Sequence, residues 1–204
     1  MSDPAPLEKP APPAFALAEG STRWSTATKL RRGAWAAARL LLFRPTPRRL
    51  GNRWRLAVLR LFGAAIEGSP LILPSVRILQ PWLLRIGRGG AIGDAVELYN
   101  YAPITIGENT VISQECYLCT GTHDHSDPTF PLISAPITIG AGCWLAARSF
   151  VMPGVSIGDG SVIGACSVVT RAVPPWSIAA GNPCKVLKPR ILAPPAPGVP
   201  PPPA

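Results

Sequence analysis

From Ile139 onward an aliphatic side chain recurs at every sixth position, through Leu145, Val151, Ile157, Ile163 and Val169. Neither a helix, with its period of 3.6, nor a strand in a flat sheet, with its period of 2, repeats in this way. Gly140, Ala146, Gly158 and Gly164 directly follow four of these residues. A small or β-branched residue stands four places after each: Cys143, Ser149, Val155, Ser161, Ser167 and Val173. Upstream the same beat runs through Ile86, Ile92, Leu98 and Ile104, slips by two residues, and resumes at Ile106, Ile112 and Leu118. Weaker copies reach back to Ile66, Ile72 and Ile78.

Hexads of this kind indicate a parallel β-helix in which each six is one short strand and a bend. Three sixes close a triangular coil, so each aliphatic residue should stack inward on its equivalent eighteen residues away. Residues 66–181 have room for about five to six coils. The repeat does not set the hand of the winding, and the general rule for parallel crossovers would favour a right-handed one.

Between Leu118 and Ile139 the count pauses. The 21 residues equal one six plus fifteen, so a loop at 124–138 is expected to protrude from a bend of an intact prism. The pause holds both histidines of the chain, with His123, Asp124, His125 and Asp127 inside five residues. Loops carried by a rigid scaffold are where binding and catalysis concentrate. An unperturbed imidazole, with a pKa near 6.5 (roughly), suits a general base at neutral pH. His123, five residues after Leu118, is placed on the coil at the root of the loop, and His125 farther out. Glu115, Asp124 or Asp127 could orient the base. The bland alternative is that His123 only caps the coil.

The rest of the chain is read from composition. Much of its proline is terminal, so 1–20 and 193–204 are expected to be disordered tails. The net charge of +9 is concentrated in 21–65, where no acidic residue occurs between Glu19 and Glu67. Helices are expected at 28–43 and 52–62, the second N-capped by Asn52 and presenting Trp54, Val58 and Leu61 on one face, both packing on the first coils. Arginines interleaved with Trp24, Trp35 and Trp54 describe a segment suited to anionic lipid; no nucleic-acid-reading motif is present. The apolar run 34–43 is broken by Arg39 and is too short to cross a membrane. Five cysteines, an odd number, point to free thiols in a reducing cytoplasm. Cys116 and Cys119 have zinc or redox spacing, but no second pair follows and both fall on repeat positions.

With the repeat, the pause and the closing stretch ITIGAGCWLAARSFVMPGVSIGDGSVIGACSVVTRAVPPWSIAAGNPCKVLKPR in view, residues 66–190 resemble the hexapeptide-repeat acyltransferases. The closing pattern is similar to maltose and galactoside O-acetyltransferases. Phe43-Arg44-Pro45, the stretch AVLRLFG at 57–63 and CTGTHD at 119–124 resemble the colanic-acid-type exopolysaccharide acetyltransferases. The resemblance implies a left-handed parallel β-helix, a homotrimer with active sites between subunits, and acetyl-CoA as donor with no metal. It implies transfer of an acetyl group to a hydroxyl of a sugar or glycan intermediate of exopolysaccharide or cell-envelope biosynthesis, in the cytoplasm or at the inner face of the membrane. By motif match His123 is the catalytic base and Asn100 an acceptor-side residue, although its spacing to Thr105-Ile106-Gly107 is shorter than the family's. Trp144, Ala146 and Ala147 fall where a donor-site backbone N–H serves the oxyanion, and Ala147, Ala165, Thr170 and Arg171 line the coenzyme A wall. Lys185, Lys188 and Arg190, in the closing segment 182–192, are placed against its phosphates.

Four other readings share this fold. A γ-type carbonic anhydrase needs three histidines on zinc and the chain has two. A serine acetyltransferase resembles a larger protein with an acidic helical domain ahead of the coils, unlike the basic segment here. A non-catalytic scaffold, or an acetyltransferase for a non-sugar acceptor, is separated from the main reading by coenzyme A binding and by an acceptor panel.

Overall fold

The computed structural model describes residues 24–193; the terminal segment 1–20 and all but the first residue of 193–204 lie outside them. The chain winds as a parallel β-solenoid of about six turns with three faces. The first face stacks Ala65–Ile66, Leu84–Ile86, Ile104–Ile106, Ile137–Ile139 and Ser156–Ile157. The second stacks Leu71–Ile72, Ala91–Ile92, Val111–Ile112, Trp144–Leu145, Val162–Ile163 and Ser177–Ala180, with Lys185–Pro189 added antiparallel at its end. The third stacks Arg77–Ile78, Glu97–Tyr99, Tyr117–Cys119, Phe150–Val151 and Val168–Val169.

The hexad aliphatics form the core in register. Ile66, Ile86, Ile106, Ile139 and Ile157 pair in sequence on the first face, and Ile78, Leu98, Leu118, Val151 and Val169 on the third. All are buried, and each is worth about 1.5–3 kcal/mol relative to exposure. The small residue four places on closes the bend: the hydroxyls of Ser149 and Ser167 donate to the carbonyls of Ala146 (2.6 Å) and Gly164 (2.7 Å).

The coil is not uniformly eighteen residues long. Partners are 20 apart in the early turns (Ile66 on Ile86) and 18 apart in the later ones (Ile139 on Ile157). The two extra residues always enter at the edge between the third and first faces, where Leu84, Ile104 and Ile137 all turn inward as the first residue of a three-residue strand. The two-residue slip in the sequence is therefore a recurring property of one edge, and the long insertion leaves from that same edge.

A buried polar ladder holds this edge. Asn100 accepts at Oδ1 from the N–H of Gln80 (2.9 Å) and donates from Nδ2 to its carbonyl (2.7 Å), while the Gln80 amide donates to the Asn100 carbonyl (2.9 Å). Below it Thr120 Oγ1 accepts from the N–H of Ala102 (2.9 Å).

Two helices close the open end of the prism, α1 at Thr26–Ala38, continued by a wider turn at Arg39–Phe43, and α2 at Asn52–Leu61. The packing face of α2 differs from the expected one. Trp54 and Leu61 are exposed, and Arg55, Leu56, Val58 and Leu59 go inward. The cause is Arg55, which is fully buried and donates to the carbonyls of Ile72 (2.7 Å), Pro47 (2.9 Å) and Arg48 (2.6 Å) and to Thr46 Oγ1 (2.8 Å). Burial lowers its pKa, and four acceptors replace the water it lost. Nor does Asn52 cap the helix. Gly51 precedes it as N-cap, and the Asn52 amide ties α2 to the first coil through the Pro70 carbonyl and the Ile72 N–H, both at 3.0 Å. Trp35 is likewise buried, donating to the Ile78 carbonyl at 2.7 Å.

Candidate active site

The arm is a β-hairpin rather than a loop on a coil. Gly121–His123 pairs antiparallel with Leu132–Ser134, and the prism resumes at Ile137. His123 thus sits one strand out from the coil, opposite Leu132, and the projection spans 121–134 rather than the expected 124–138. At the root of the hairpin, Gly121 packs against the Tyr101 ring of the preceding coil. A Cβ at Gly121 would come within 3.1 Å of the Tyr101 side chain.

The His123 imidazole is exposed, and its Nδ1 lies 2.6 Å from the Phe130 carbonyl oxygen. A carbonyl can only accept, so Nδ1 carries the proton and the lone pair of the neutral ring is on Nε2. Phe130 reaches this position with a φ of +47°, a conformation bulky residues rarely adopt, and its own N–H donates to the Asp127 carbonyl at 3.0 Å.

None of the three expected orienting carboxylates meets the imidazole among the described residues. Asp124 Oδ1 accepts from the Ser126 hydroxyl (2.6 Å) and N–H (2.9 Å), which hold its pKa below the usual carboxylate value. Asp127 Oδ1 accepts from the Thr129 hydroxyl (2.7 Å) and N–H (2.8 Å). Glu115 pairs with Arg148 Nε at 2.7 Å on a different edge. The two aspartates shape the turn that delivers the Phe130 carbonyl. Their i to i+2 spacing in Asp124-His125-Ser126 and Asp127-Pro128-Thr129 is a legible Asx-turn signal. His125 is exposed on the outer part of the arm. Asn100, expected on the acceptor side, is fully buried with both amide atoms engaged by Gln80, so it cannot touch an acceptor.

The residues matched to the donor site fall into two groups. Ala147 and Ala165 stack at the edge between the second and third faces, with Trp144 half-exposed on the second face beside them. The N–H of Trp144 and of Ala146 are spent on the carbonyls of Ser161 and Ile163 (both 2.9 Å), whereas that of Ala147 has no partner among the described residues. Of the three candidates for a backbone donor, only Ala147 is available. Lys185 and Lys188 would point to opposite sides of a regular strand. An irregularity opposite Ile178 and Ala179 re-phases it, so Lys185 pairs with Ala180 and Lys188 with Ile178, and both face outward on the second face. Arg190 is anchored at one end only: its Nη1 donates to the carbonyls of Gly142 (2.9 Å) and Gly160 (2.7 Å).

Thr170 and Arg171 lie instead on the third-to-first edge, the one that bears His123. One chain therefore keeps His123 and the Ala147–Ala165 edge on opposite sides of the third face. Cys116 and Cys119 do not converge: their thiols donate to the carbonyls of Ala146 (3.1 Å) and Gly121 (3.0 Å), and burial pushes the Cys116 thiol pKa up.

Comparison with known proteins agrees with this architecture. The family described as bacterial transferase hexapeptide (six repeats) matches residues 136–171. WcaF of Escherichia coli, assigned as a colanic acid biosynthesis acetyltransferase, is 47% identical over 157 residues, covering 77% of this chain and 86% of the relative. The chain belongs to the hexapeptide-repeat acetyltransferases. A second member of the family, the galactoside O-acetyltransferase of Escherichia coli, is 38% identical over 137 residues, 66% of this chain and 68% of the relative. Among solved structures of hexapeptide-repeat acetyltransferases, that of VCA0836 from Vibrio cholerae, complexed with acetyl coenzyme A, superposes with a TM-score of 0.72. Its sequence is 26% identical, and the match covers 84% of this chain and 91% of that one. No described helix is long and apolar enough to cross a membrane.

Proposed function

We propose that this chain transfers an acetyl group from acetyl-CoA to a hydroxyl of a sugar or glycan intermediate of exopolysaccharide or cell-envelope biosynthesis. The observation that carries the reading is the His123–Phe130 contact, which leaves Nε2 as an exposed base held on a hairpin rooted in a rigid prism. As the acceptor oxygen attacks the thioester carbonyl, Nε2 takes its proton. When the C–S bond breaks, the proton passes from the imidazolium to the departing sulfur, giving the ester and coenzyme A thiol. Ala147 N–H, which has no partner among the described residues, is the donor for the charge that develops on the thioester oxygen, and Lys185 and Lys188, without a carboxylate partner among the described residues, are the cations for the phosphates.

The separation of His123 from the Ala147 edge supports a homotrimer in which each site is completed by a neighbour, with Thr170 and Arg171 lining the coenzyme from the His123 side. The front end supports peripheral contact with the inner face of a membrane from the cytoplasm. Leu40, Leu41, Leu42, Leu50 and Trp54 are exposed among Arg44, Arg49 and Arg53. The test is thiol release from acetyl-CoA against a panel of free, nucleotide-linked and lipid-linked sugars. Saturable release with a sugar acceptor is expected. Release with none of them, in a chain that still binds coenzyme A, sinks the proposal.

A further inference from the structure

A cavity of about 530 Å³ opens between α1 and the third face of the first two coils, away from the residues matched to coenzyme A. α1 gives it Lys29 and Arg32, the wider turn that continues the helix gives Arg39, and the prism adds Arg77, Glu97 and Tyr99. Of the four cations only Arg77 has a carboxylate partner among the described residues, Glu97. The other three line the same cavity from a helical segment with no acidic residue, which leaves the cleft with an excess of positive charge that favours an anion. Arg32 is further held over the Trp24 ring at 4.2 Å.

Gly33, in the interior of α1, also lines this cavity. Glycine is unfavourable inside a helix, and packing does not require it here, because a Cβ at Gly33 would meet nothing within 4 Å. What the missing side chain preserves is the open cleft.

The cleft leads toward the arm. Tyr99 in its wall contacts Tyr101, with ring centroids 5.0 Å apart and hydroxyls 3.1 Å apart, and Tyr101 packs on Gly121, two residues before His123. Along the third face Tyr99, Tyr117 and Phe150 form a column with centroid spacings of 6.0 and 5.0 Å. Successive coils are about 4.8 Å apart, so the cleft lies one to two coil spacings along the axis from the coil that bears the arm.

We infer that this cleft anchors the diphosphate of a diphosphate-linked saccharide acceptor, so that the sugar lies along the tyrosine column with a hydroxyl toward His123. The inference rests on the acetyl-transfer reading for its acceptor and deepens it, but the anion site stands on its own residues. Nucleoside-diphosphate and polyprenyl-diphosphate sugars carry the same recognised group.

The first measurement is calorimetric titration with inorganic pyrophosphate in the presence of saturating coenzyme A, which occupies its own phosphate site. Saturable, salt-sensitive binding is expected in the wild type, weakened at least tenfold in Arg32→Gln/Arg39→Gln and in Gly33→Leu, with coenzyme A affinity and melting temperature unchanged. Absence of binding in the wild type, or equal binding in the variants, overturns the inference. The second measurement compares acetyl transfer to a free sugar, a nucleoside-diphosphate sugar and a polyprenyl-diphosphate sugar. The variants should raise KM at least tenfold for whichever diphosphate-linked acceptor is used, with kcat within about twofold and the free sugar unaffected; no selective change contradicts it. If no acceptor is acetylated while pyrophosphate binding persists and depends on these residues, the enzyme reading fails and the anion site remains.

Discussion

The Nδ1–H of His123 donates to the carbonyl of Phe130 across 2.6 Å, and this one bond decides which nitrogen can act as a base. Nitrogen-15 spectra should show the neutral ring of His123 as the Nδ1–H tautomer. Asp124→Asn and Asp127→Asn should leave it so, because the acceptor is a backbone oxygen. A ring protonated on Nε2 would contradict the geometry.

The Asp124 carboxylate is stabilised as an anion by the Ser126 hydroxyl and N–H, so its folded pKa lies below its unfolded one. The sign follows from linkage. The contacts contribute to the arm's order above the ordinary carboxylate value of 3.8 and are lost as pH falls through the lowered folded value. The Ser126 amide resonance should titrate with a midpoint below 3.8 in the wild type and not at all in Asp124→Asn. A midpoint at or above the ordinary value would show that the turn does not hold the carboxylate.

Arg55 is buried among four acceptors, so Arg55→Met leaves several of them unpaired at about 1–3 kcal/mol each. A loss of about 3 kcal/mol or more is expected, read as a fall in melting temperature of roughly 10 °C. Arg53→Gln, on the exposed side of α2, should change stability by less than about 0.5 kcal/mol. Equal effects would mean that Arg55 is only another surface charge.

Asn100→Ala removes the central rung of the Gln80–Asn100 ladder and should destabilise the prism by about 2 kcal/mol. The KM for an acceptor should stay within about twofold at a temperature where the variant is folded. A selective rise in KM without loss of stability would restore Asn100 to the acceptor site.

The prism was legible in the sequence because its core obeys one rule. One inward position of each strand is an aliphatic, and from Ile139 to Val169 these recur at a fixed interval of six. The extra pair of residues at Leu84 and Ile104 reads in the sequence as a single slip, because the upstream copies are less regular and the edge that absorbs them is defined only when the coil closes. The arm reads as a pause in the repeat, but its root at Gly121 does not. A two-stranded hairpin with strands of three residues carries almost no periodicity, and Gly121–His123 reads as a continuation of the coil. Phe130 left no trace because its contribution is a backbone carbonyl. Asn100 and Arg55 illustrate the opposite failure: polar side chains look exposed in a sequence, and only closure of the coils shows that their partners are inside. Lys185 and Lys188 share a face only through an irregularity that no spacing rule anticipates.

The central claim is that His123 is the base, and a pair of single substitutions tests it. Thiol release from acetyl-CoA with a competent sugar acceptor should fall by about 10² to 10⁴ in kcat for His123→Ala. His125→Ala should remain within about threefold, and acetyl-CoA affinity should be unchanged in both. Full activity in His123→Ala, with the arm folded and the coenzyme bound, would contradict it.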